Sequence, residues 1–146
     1  MRYIFRGLIN SESWGTDQVI PDDGTWVFGD LQLHGDMTWV NGRLVDPRTI
    51  GAYTGIRDRR NQRMFEGDIV LIDGDGGAIA KIAWHDYLCQ FYLCFSHEDK
   101  PAKDDTKASL GEMIFQYRHS FEVIGNVYEN PDLLPQKNPY LVAKGS

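Results

Sequence analysis

The chain has 146 residues, of which 42% are hydrophobic, enough to bury the core of one domain without disulfide or metal staples. Its formal net charge of −6 excludes a protein whose whole surface binds nucleic acid or anionic membranes, although it allows a local basic patch. No apolar run approaches the roughly 18 residues that span a bilayer, and the first residues lack the apolar stretch of a signal peptide. We therefore expect a cytoplasmic protein without a membrane partner.

The first third of the chain predicts a β-meander. Residues 2–6 form a short candidate edge strand, and β-favouring residues fill positions 25–33, with Gly29 where a bulge would fit. Residues 37–40 can pair back onto this segment. Asn41-Gly42 is the strongest short hairpin signal in the chain, and it joins residues 38–40 to residues 43–45.

The middle of the chain continues with short strands. Residues 49–56 lead into a basic tip, and a continuous apolar run follows at 68–73. In the segment 78–84, Ile82 and Trp84 share a face with two alanines, so we expect that face to pack inward. Residues 90–95 place Phe91, Leu93 and Phe95 together on one side. This pattern of short twisted strands indicates a small barrel or pseudobarrel.

One helix is predicted, and it begins at Ser109. The sequence Ser109-Leu110-Gly111-Glu112 fits a capping box, and an apolar stripe recurs at helical spacing, so this helix is expected to cap one end of the barrel; the stripe comprises Leu110, Met113, Ile114 and Tyr117. Residues 121–129 indicate a closing strand, after which Asn130-Pro131 supplies an N-cap and a proline at the first helical position. We predict a single mainly β (β-rich α+β) domain over residues 1–135, an SH3-like or related pseudobarrel, followed by a weakly ordered tail over 136–146.

The basic segment from Arg48 to Arg63 holds five arginines against a single aspartate, Asp58, a charge of +4, and its tip from Arg57 to Arg63 is the candidate binding element. The arginines are Arg48, Arg57, Arg59, Arg60 and Arg63, of which the last four lie in the tip. The simplest interpretation is a solvated turn, or one that pairs with the acidic loop near Asp104 and Asp105. Arginine also prefers bidentate carboxylate or phosphate partners, so a hairpin tip of this kind can dock on an acidic protein surface or on nucleic acid. All three interpretations stay open at this point.

No catalytic or metal-binding motif stands out. Glu66 and Asp68 resemble a carboxylate pair, but Gly67 between them more simply marks a bulge, with Asp68 accepting backbone amides. A calcium loop at residues 73–77 lacks ligands at the later positions that the EF-hand requires. A zinc site lacks the paired spacing of its ligands, since only Cys89, Cys94, His97 and the distant His85 are available. We expect no cofactor, no metal and no enzymatic activity.

The aromatic residues and the cysteines could each have a structural or a functional role. The large aromatic residues are more typical of a small core than of a stacking platform for single-stranded nucleic acid; they are Trp14, Trp26, Trp39, Trp84, Tyr53, Phe65 and Tyr128. The two cysteines lie five residues apart in a predicted strand, so their side chains should point to opposite faces and a disulfide between them is not expected.

Five segments follow one another along the chain in a characteristic order: Phe5-Arg6-Gly7, DGTWVFGDL at 23–31, VDPRTIGAYTGIRD at 45–58, MFEGDIV at 64–70 and IGNVYENPDLL at 124–134. Together they resemble the YopX family of bacteriophage and prophage proteins. The motif positions that we expect to be structural are Gly55, Asn61, Glu66, Gly67, Asp68, Gly125, Asn126, Asn130 and Pro131. At the tip the family commonly has D-K-N-G-K, whereas this chain has Asn61 at the glycine position, and asparagine is the other residue that tolerates positive φ.

The resemblance implies a compact, mostly β accessory protein of phage type, and it brings no catalytic residue. We expect a non-catalytic binding or self-assembling module that acts in a bacterial host cell on a host or phage protein, or on a second copy of itself. The alternative is a nucleic-acid-binding module that uses the same arginines, and a small hydrolase or nuclease built on Glu66, Asp68 and a histidine is a third candidate. The binding hypothesis predicts that Arg59→Glu with Arg60→Glu abolishes partner binding and leaves thermal stability nearly unchanged.

Overall fold

A computed structural model describes residues 4–14, 20–73, 77–86, 88–99, 110 and 120–137. The chain divides into two compact units, Met1–Tyr53 and Thr54–Ser146, here called the first and second units. The strands in the described residues are β1 (Phe5–Leu8), β2 (Trp26–Gly29), β3 (Leu31–His34), β4 (Met37–Val40), β5 (Arg43–Val45), β6 (Gly51–Arg57), β7 (Arg63–Phe65), β8 (Asp68–Ile72), β9 (Ala78–His85), β10 (Gln90–Cys94) and β11 (Phe121–Asn126). Short 3-10 helices cover Ser11–Trp14, Pro47–Thr49 and Pro131–Leu133.

The predicted mainly β class is confirmed, but the barrel is not. The antiparallel sheets of the described residues do not close on themselves, so the SH3-like or pseudobarrel prediction is wrong. The predicted capping helix lies outside the described residues except for Leu110, which is helical and buried. None of the helices in the described part of the chain is long and apolar enough to cross a membrane.

The first unit holds two groups of antiparallel strands and a small core. β1 pairs with β2 on one side and with the start of β6 on the other, and β3, β4 and β5 form a sheet in that order. The core contains Ile9, Val40 and Val45, with Val27, Leu31 and Ile50 packed against it. Because β1 has a neighbour on both sides, the prediction of an edge strand at the N-terminus is wrong.

The predicted segment 25–33 is two strands rather than one bulged strand. The chain changes direction after Gly29, whose φ is 147°, so that β2 pairs with β1 while β3 pairs with β4. The Asn41-Gly42 hairpin is confirmed: both residues have positive φ, 50° and 74°, and they join β4 to β5 as a type I′ turn requires.

A buried carboxylate organises the turn before β6. Asp46, which is 2% exposed, accepts hydrogen bonds from the Arg48 backbone amide (3.0 Å) and from the Arg48 guanidinium (2.8 Å). This contact caps the 3-10 helix Pro47–Thr49, and it shows that Arg48 has a partner within its own unit. The Arg48 guanidinium is the main cause of a lowered pKa at Asp46.

We expect this carboxylate to make the chain acid-sensitive. A carboxyl group whose pKa is lowered in the folded state stabilises that state above its unfolded pKa, here 3.8, and the contribution is lost as the pH falls through the folded value. The free energy of unfolding, measured with urea from about pH 5 to about pH 2, should therefore fall less steeply in Asp46→Asn than in the unmodified chain. Equal slopes for the two proteins would contradict this assignment.

The second unit is built on the antiparallel sheet β10-β9-β8-β11. Its core consists of Met64, Val70, Ile72, Ala80, Ile82, Leu93, Leu110 and Phe121, with Phe91 and Phe95 packed against it. The predicted inward face of β9 is confirmed for Ala78, Ala80 and Ile82. It is wrong for Trp84, which is 41% exposed at the end of the strand and contacts Phe91 edge-to-face at 5.0 Å.

Candidate functional site

The arginine hairpin, residues Arg57–Arg63 between β6 and β7, is held by the carboxylate of Asp58. One oxygen, Oδ1, accepts the backbone amides of Arg60 (2.9 Å) and Gln62 (2.8 Å), and Oδ2 accepts the amide of Val123 in β11 (2.9 Å). Asp58 is 8% exposed although it stands among arginines. Its side chain therefore closes the turn and fastens it to the last strand of the sheet.

The backbone of the arginine hairpin is fixed as well. Asn61 has a φ of 65°, as predicted from its position in the turn, and its amide donates to the Asp58 carbonyl at 2.9 Å. The Arg59 amide donates to the Phe121 carbonyl at 2.9 Å. Gly55, which lies in β6 ahead of the turn, also has positive φ, 85°, which favours glycine there.

Arg59 and Arg60 form ion pairs inside the second unit. Arg59 contacts both Asp73 and Glu122, the latter at 2.5 Å, and Arg60 Nε lies 3.1 Å from the other oxygen of Glu122. Asp73 first and Glu122 second raise the pKa of the Arg59 guanidinium. The predicted alternative partners, Asp104 and Asp105, lie outside the described residues.

These pairs change what a charge reversal would do. Arg59→Glu with Arg60→Glu would place two new carboxylates beside Asp73 and Glu122, and like charges at this distance repel. We expect that double variant to lose stability, so a loss of binding in it would not identify a binding surface.

Exposure distinguishes the arginines of the hairpin. Arg57 is exposed, and its guanidinium donates to the Asn61 carbonyl at 2.9 Å, which orients it across the turn. Arg63, the first residue of β7, is half-buried. The side chain of Arg60 is 74% exposed despite its contact with Glu122. Arg57 and Arg60 are thus the arginines that the hairpin presents most openly.

Glu66 and Gly67 form the turn between β7 and β8, and Asp68 is the first residue of β8. Asp68 is 2% exposed and accepts the Phe65 amide at 2.8 Å, which confirms that it binds a backbone amide. Gly67 has a φ of 94°, its amide donates to Ile82 and its carbonyl accepts from Val127. The predicted bulge is therefore a tight turn tied to two neighbouring segments.

The motif after β11 is a second structural turn. β11 is irregular between Val123 and Gly125, and the Asn126 side chain accepts the amides of Tyr128 (3.0 Å) and Glu129 (2.9 Å). Pro131 opens a 3-10 helix as predicted, but the Asn130 side chain does not cap it. The Asn130 oxygen instead accepts the Asn126 amide at 3.2 Å.

The remaining candidate residues do not converge. No group of three or more histidine, cysteine or acidic side chains able to hold a metal ion occurs among the described residues. Cys89 is exposed in a turn, while Cys94 is buried, which raises the pKa of its thiol; both are free thiols. His97 contacts the Pro131 carbonyl at 2.7 Å, and the His85 ring accepts the Leu88 amide at 3.2 Å.

The aromatic residues are divided between core and surface. Phe65 is buried, Trp26 lies beneath the Arg6 guanidinium at 4.7 Å, and Trp84 is exposed on β9. Trp39, Tyr53 and Tyr128 are half-buried, and the Trp14 side chain lies outside the described residues. The prediction that these residues are core is thus confirmed fully only for Phe65.

Sequence reasoning missed the roles of three residues of this site: Asp58, Asp73 and Glu122. Asp58 had a detectable signal, because aspartate that opens a turn commonly accepts amides two residues on. Asp73 and Glu122 carry no local signal, since they lie 14 and 63 residues from Arg59 and meet it only through the pairing of β8 with β11.

Comparison with known proteins gives the relationship of the chain. The family model described as YopX protein matches residues 16–135, well over half of the sequence. A search of curated proteins gave no match. Among solved structures, the chain is similar to the crystal structure of protein EF1440 from Enterococcus faecalis, with 22% identity, a TM-score of 0.47, and coverage of 92% of this chain and 99% of that chain. On the strength of the match to residues 16–135, the chain belongs to the YopX family.

Proposed function

We propose that the protein is a non-catalytic phage or prophage accessory module that presents the arginine hairpin to an acidic surface on a host or phage protein, in the cytoplasm of the bacterial host. The observation that carries this proposal is the fixed hairpin from which Arg57 and Arg60 project into solvent. A turn held by three amide contacts to Asp58 loses little conformational freedom on binding. Such a preorganised element suits recognition.

The charge around the arginine hairpin favours a protein partner over nucleic acid. The carboxylates of Asp58, Asp73 and Glu122 lie in the hairpin or against it, and they offset three of the four positive charges of its arginines. Binding to phosphate backbones relies on several cations that release counterions together. A rim of two open guanidinium groups is instead suited to bidentate contacts with individual carboxylates.

The test compares two variants with the same change in charge. In Arg57→Gln with Arg60→Gln the hairpin loses both open cations, while the control, Arg43→Gln with Lys137→Gln, loses two exposed cations elsewhere. Each protein is immobilised as bait in bacterial lysate, with and without nuclease treatment and at low and moderate salt, and the retained proteins are quantified by mass spectrometry. We expect retention of the specific partner to fall by about tenfold in the hairpin variant only, with both thermal midpoints nearly unchanged.

Three results would contradict the proposal. Equal retention by the hairpin variant and the unmodified chain would remove the hairpin as the binding element. An equal loss in the control variant would show that only net charge matters. Retention that disappears on nuclease treatment and falls steeply between low and moderate salt would support the nucleic-acid alternative instead.

A further inference from the structure

The hairpin β3–β4 in the first unit leaves a strand edge and apolar side chains exposed. Leu33 is 71% exposed and Met37 is 52% exposed, the two largest values among the exposed large hydrophobic residues of the described chain. β3 is the terminal strand of the sheet β3-β4-β5, and no described strand pairs with its outer edge. It contains no proline, lysine or bulge, the features by which natural proteins usually protect such an edge.

The pairing register shows which backbone groups face outward from β3. The Asn41 amide donates to the Asp30 carbonyl at 2.9 Å, so Asp30 and Asn41 form a hydrogen-bonded pair. Hydrogen-bonded and non-hydrogen-bonded pairs alternate in an antiparallel ladder, which makes Gln32 the next residue bonded to β4. The amides and carbonyls of Leu31 and Leu33 therefore point to the open edge.

This edge is complementary to itself. If a second copy pairs antiparallel with Gln32 on the two-fold axis, Leu31 lies opposite Leu33 of the second copy, and their outward backbone groups can form four hydrogen bonds in total. In the same register Asp30 lies opposite His34 of the second copy, an acidic side chain beside a potential cation. A register centred on Leu33 would instead place Asp30 opposite Asp36, two like charges.

We propose that the outer edge of β3 pairs with β3 of a second copy of this chain, in the register that places Gln32 on the two-fold axis. The two three-stranded sheets then form one continuous six-stranded sheet. The exposed Leu33 side chains are covered by the partner strand's Leu31. Because the paired strands are only four residues long, the dimer dissociates on dilution. Its dissociation constant is therefore measured at protein concentrations up to about 1 mM.

A cysteine placed on the two-fold axis tests the register. In a Cys89→Ser background, which removes the exposed native thiol, Gln32→Cys places two cysteines opposite each other in a non-hydrogen-bonded pair, with Cα atoms about 4.5 Å apart. The matched control, His34→Cys, lies two residues off the axis, so its two Cα atoms are about 13 Å apart, too far for a disulfide. We expect a disulfide-linked dimer on non-reducing gels for Gln32→Cys and not for His34→Cys.

A charge on the edge tests the dimer itself. In Leu33→Lys two ammonium groups are brought to the pairing surface, and the dissociation constant, measured by sedimentation, should rise by about tenfold. Because Leu33 is already exposed, folding is unaffected, as circular dichroism will verify. Leu133→Lys, the same change at an exposed leucine in the second unit, should leave the dimer unchanged. A monomer at about 1 mM, a dimer insensitive to Leu33→Lys, or equal crosslinking of both cysteine variants would overturn the proposal.

Discussion

Replacing Asp58 by alanine is expected to lower the free energy of unfolding by about 3 kcal/mol and the thermal midpoint by about 10 °C. The carboxylate accepts three backbone amides, and those of Arg60 and Gln62 lie in an exposed turn where water can replace it. The Val123 amide lies within β11, beside the core residue Phe121, where water is less able to do so. Most of the loss therefore comes from this third contact.

The matched control for this prediction is Asp73→Ala. Asp73 also pairs with the arginine hairpin, through Arg59, but the side chains of Asp73 and Arg59 are 46% and 34% exposed. Exposed ion pairs contribute little to stability, so the midpoint should move far less than in Asp58→Ala.

Hydrogen exchange separates the two effects at single residues. The Val123 amide should exchange faster in Asp58→Ala and at the original rate in Asp73→Ala, because only the former loses its acceptor. Similar midpoints for the two variants, or an unchanged Val123 rate in Asp58→Ala, would show that Asp58 does not hold the hairpin to β11.

The arginine hairpin also shows how far the sequence alone can be taken. The positive φ of Asn61 and the type I′ turn at Asn41-Gly42 were predictable, because each depends on the conformational freedom of one or two adjacent residues. The ion pairs of Arg59 were not, since the residues that bind it come from separate strands whose register is set by the whole core.

The same distinction between local and long-range determinants explains the errors in the predicted fold. A run of β-favouring residues at 25–33 does not show where the chain leaves one sheet for another, and here the break falls after Gly29. Alternation along β9 predicts a face but not where the core ends, so Ile82 is buried while Trp84, on the same face, is exposed. The barrel prediction fails for a related reason, since closure depends on which strands pair at the edges and no local signal specifies that.

A second large effect is expected at Gly125, whose replacement by alanine should cost about 2 to 3 kcal/mol. A Cβ atom there would lie 2.6 Å from the Asn130 side-chain oxygen and 2.9 Å from Leu133 Cδ1, both closer than a real contact allows. Moving Asn130 away breaks its hydrogen bond with the Asn126 amide. The loss of stability therefore has two causes, steric overlap with the new methyl group and the loss of the hydrogen bond between Asn126 and Asn130.

Gly55→Ala provides a contrast with a different cause. Gly55 has a φ of 85°, and beyond its two chain neighbours no atom lies within 4 Å of the point that the alanine Cβ would occupy, so alanine there should cost only about 1 kcal/mol, from backbone strain. The contribution of the clash with Asn130 to the cost of Gly125→Ala can be measured by a double-mutant cycle with Asn130→Ala, which removes the obstructing side-chain oxygen.

In the Asn130→Ala background, Gly125→Ala should destabilise the chain by clearly less than in the unmodified background, as measured by urea unfolding. The remaining cost would come from Leu133, which still lies near the new methyl group. If the two substitutions are instead additive, the close approach of Asn130 is not the reason that glycine occupies this position, and the packing of the 3-10 helix against β11 would have to account for the whole effect.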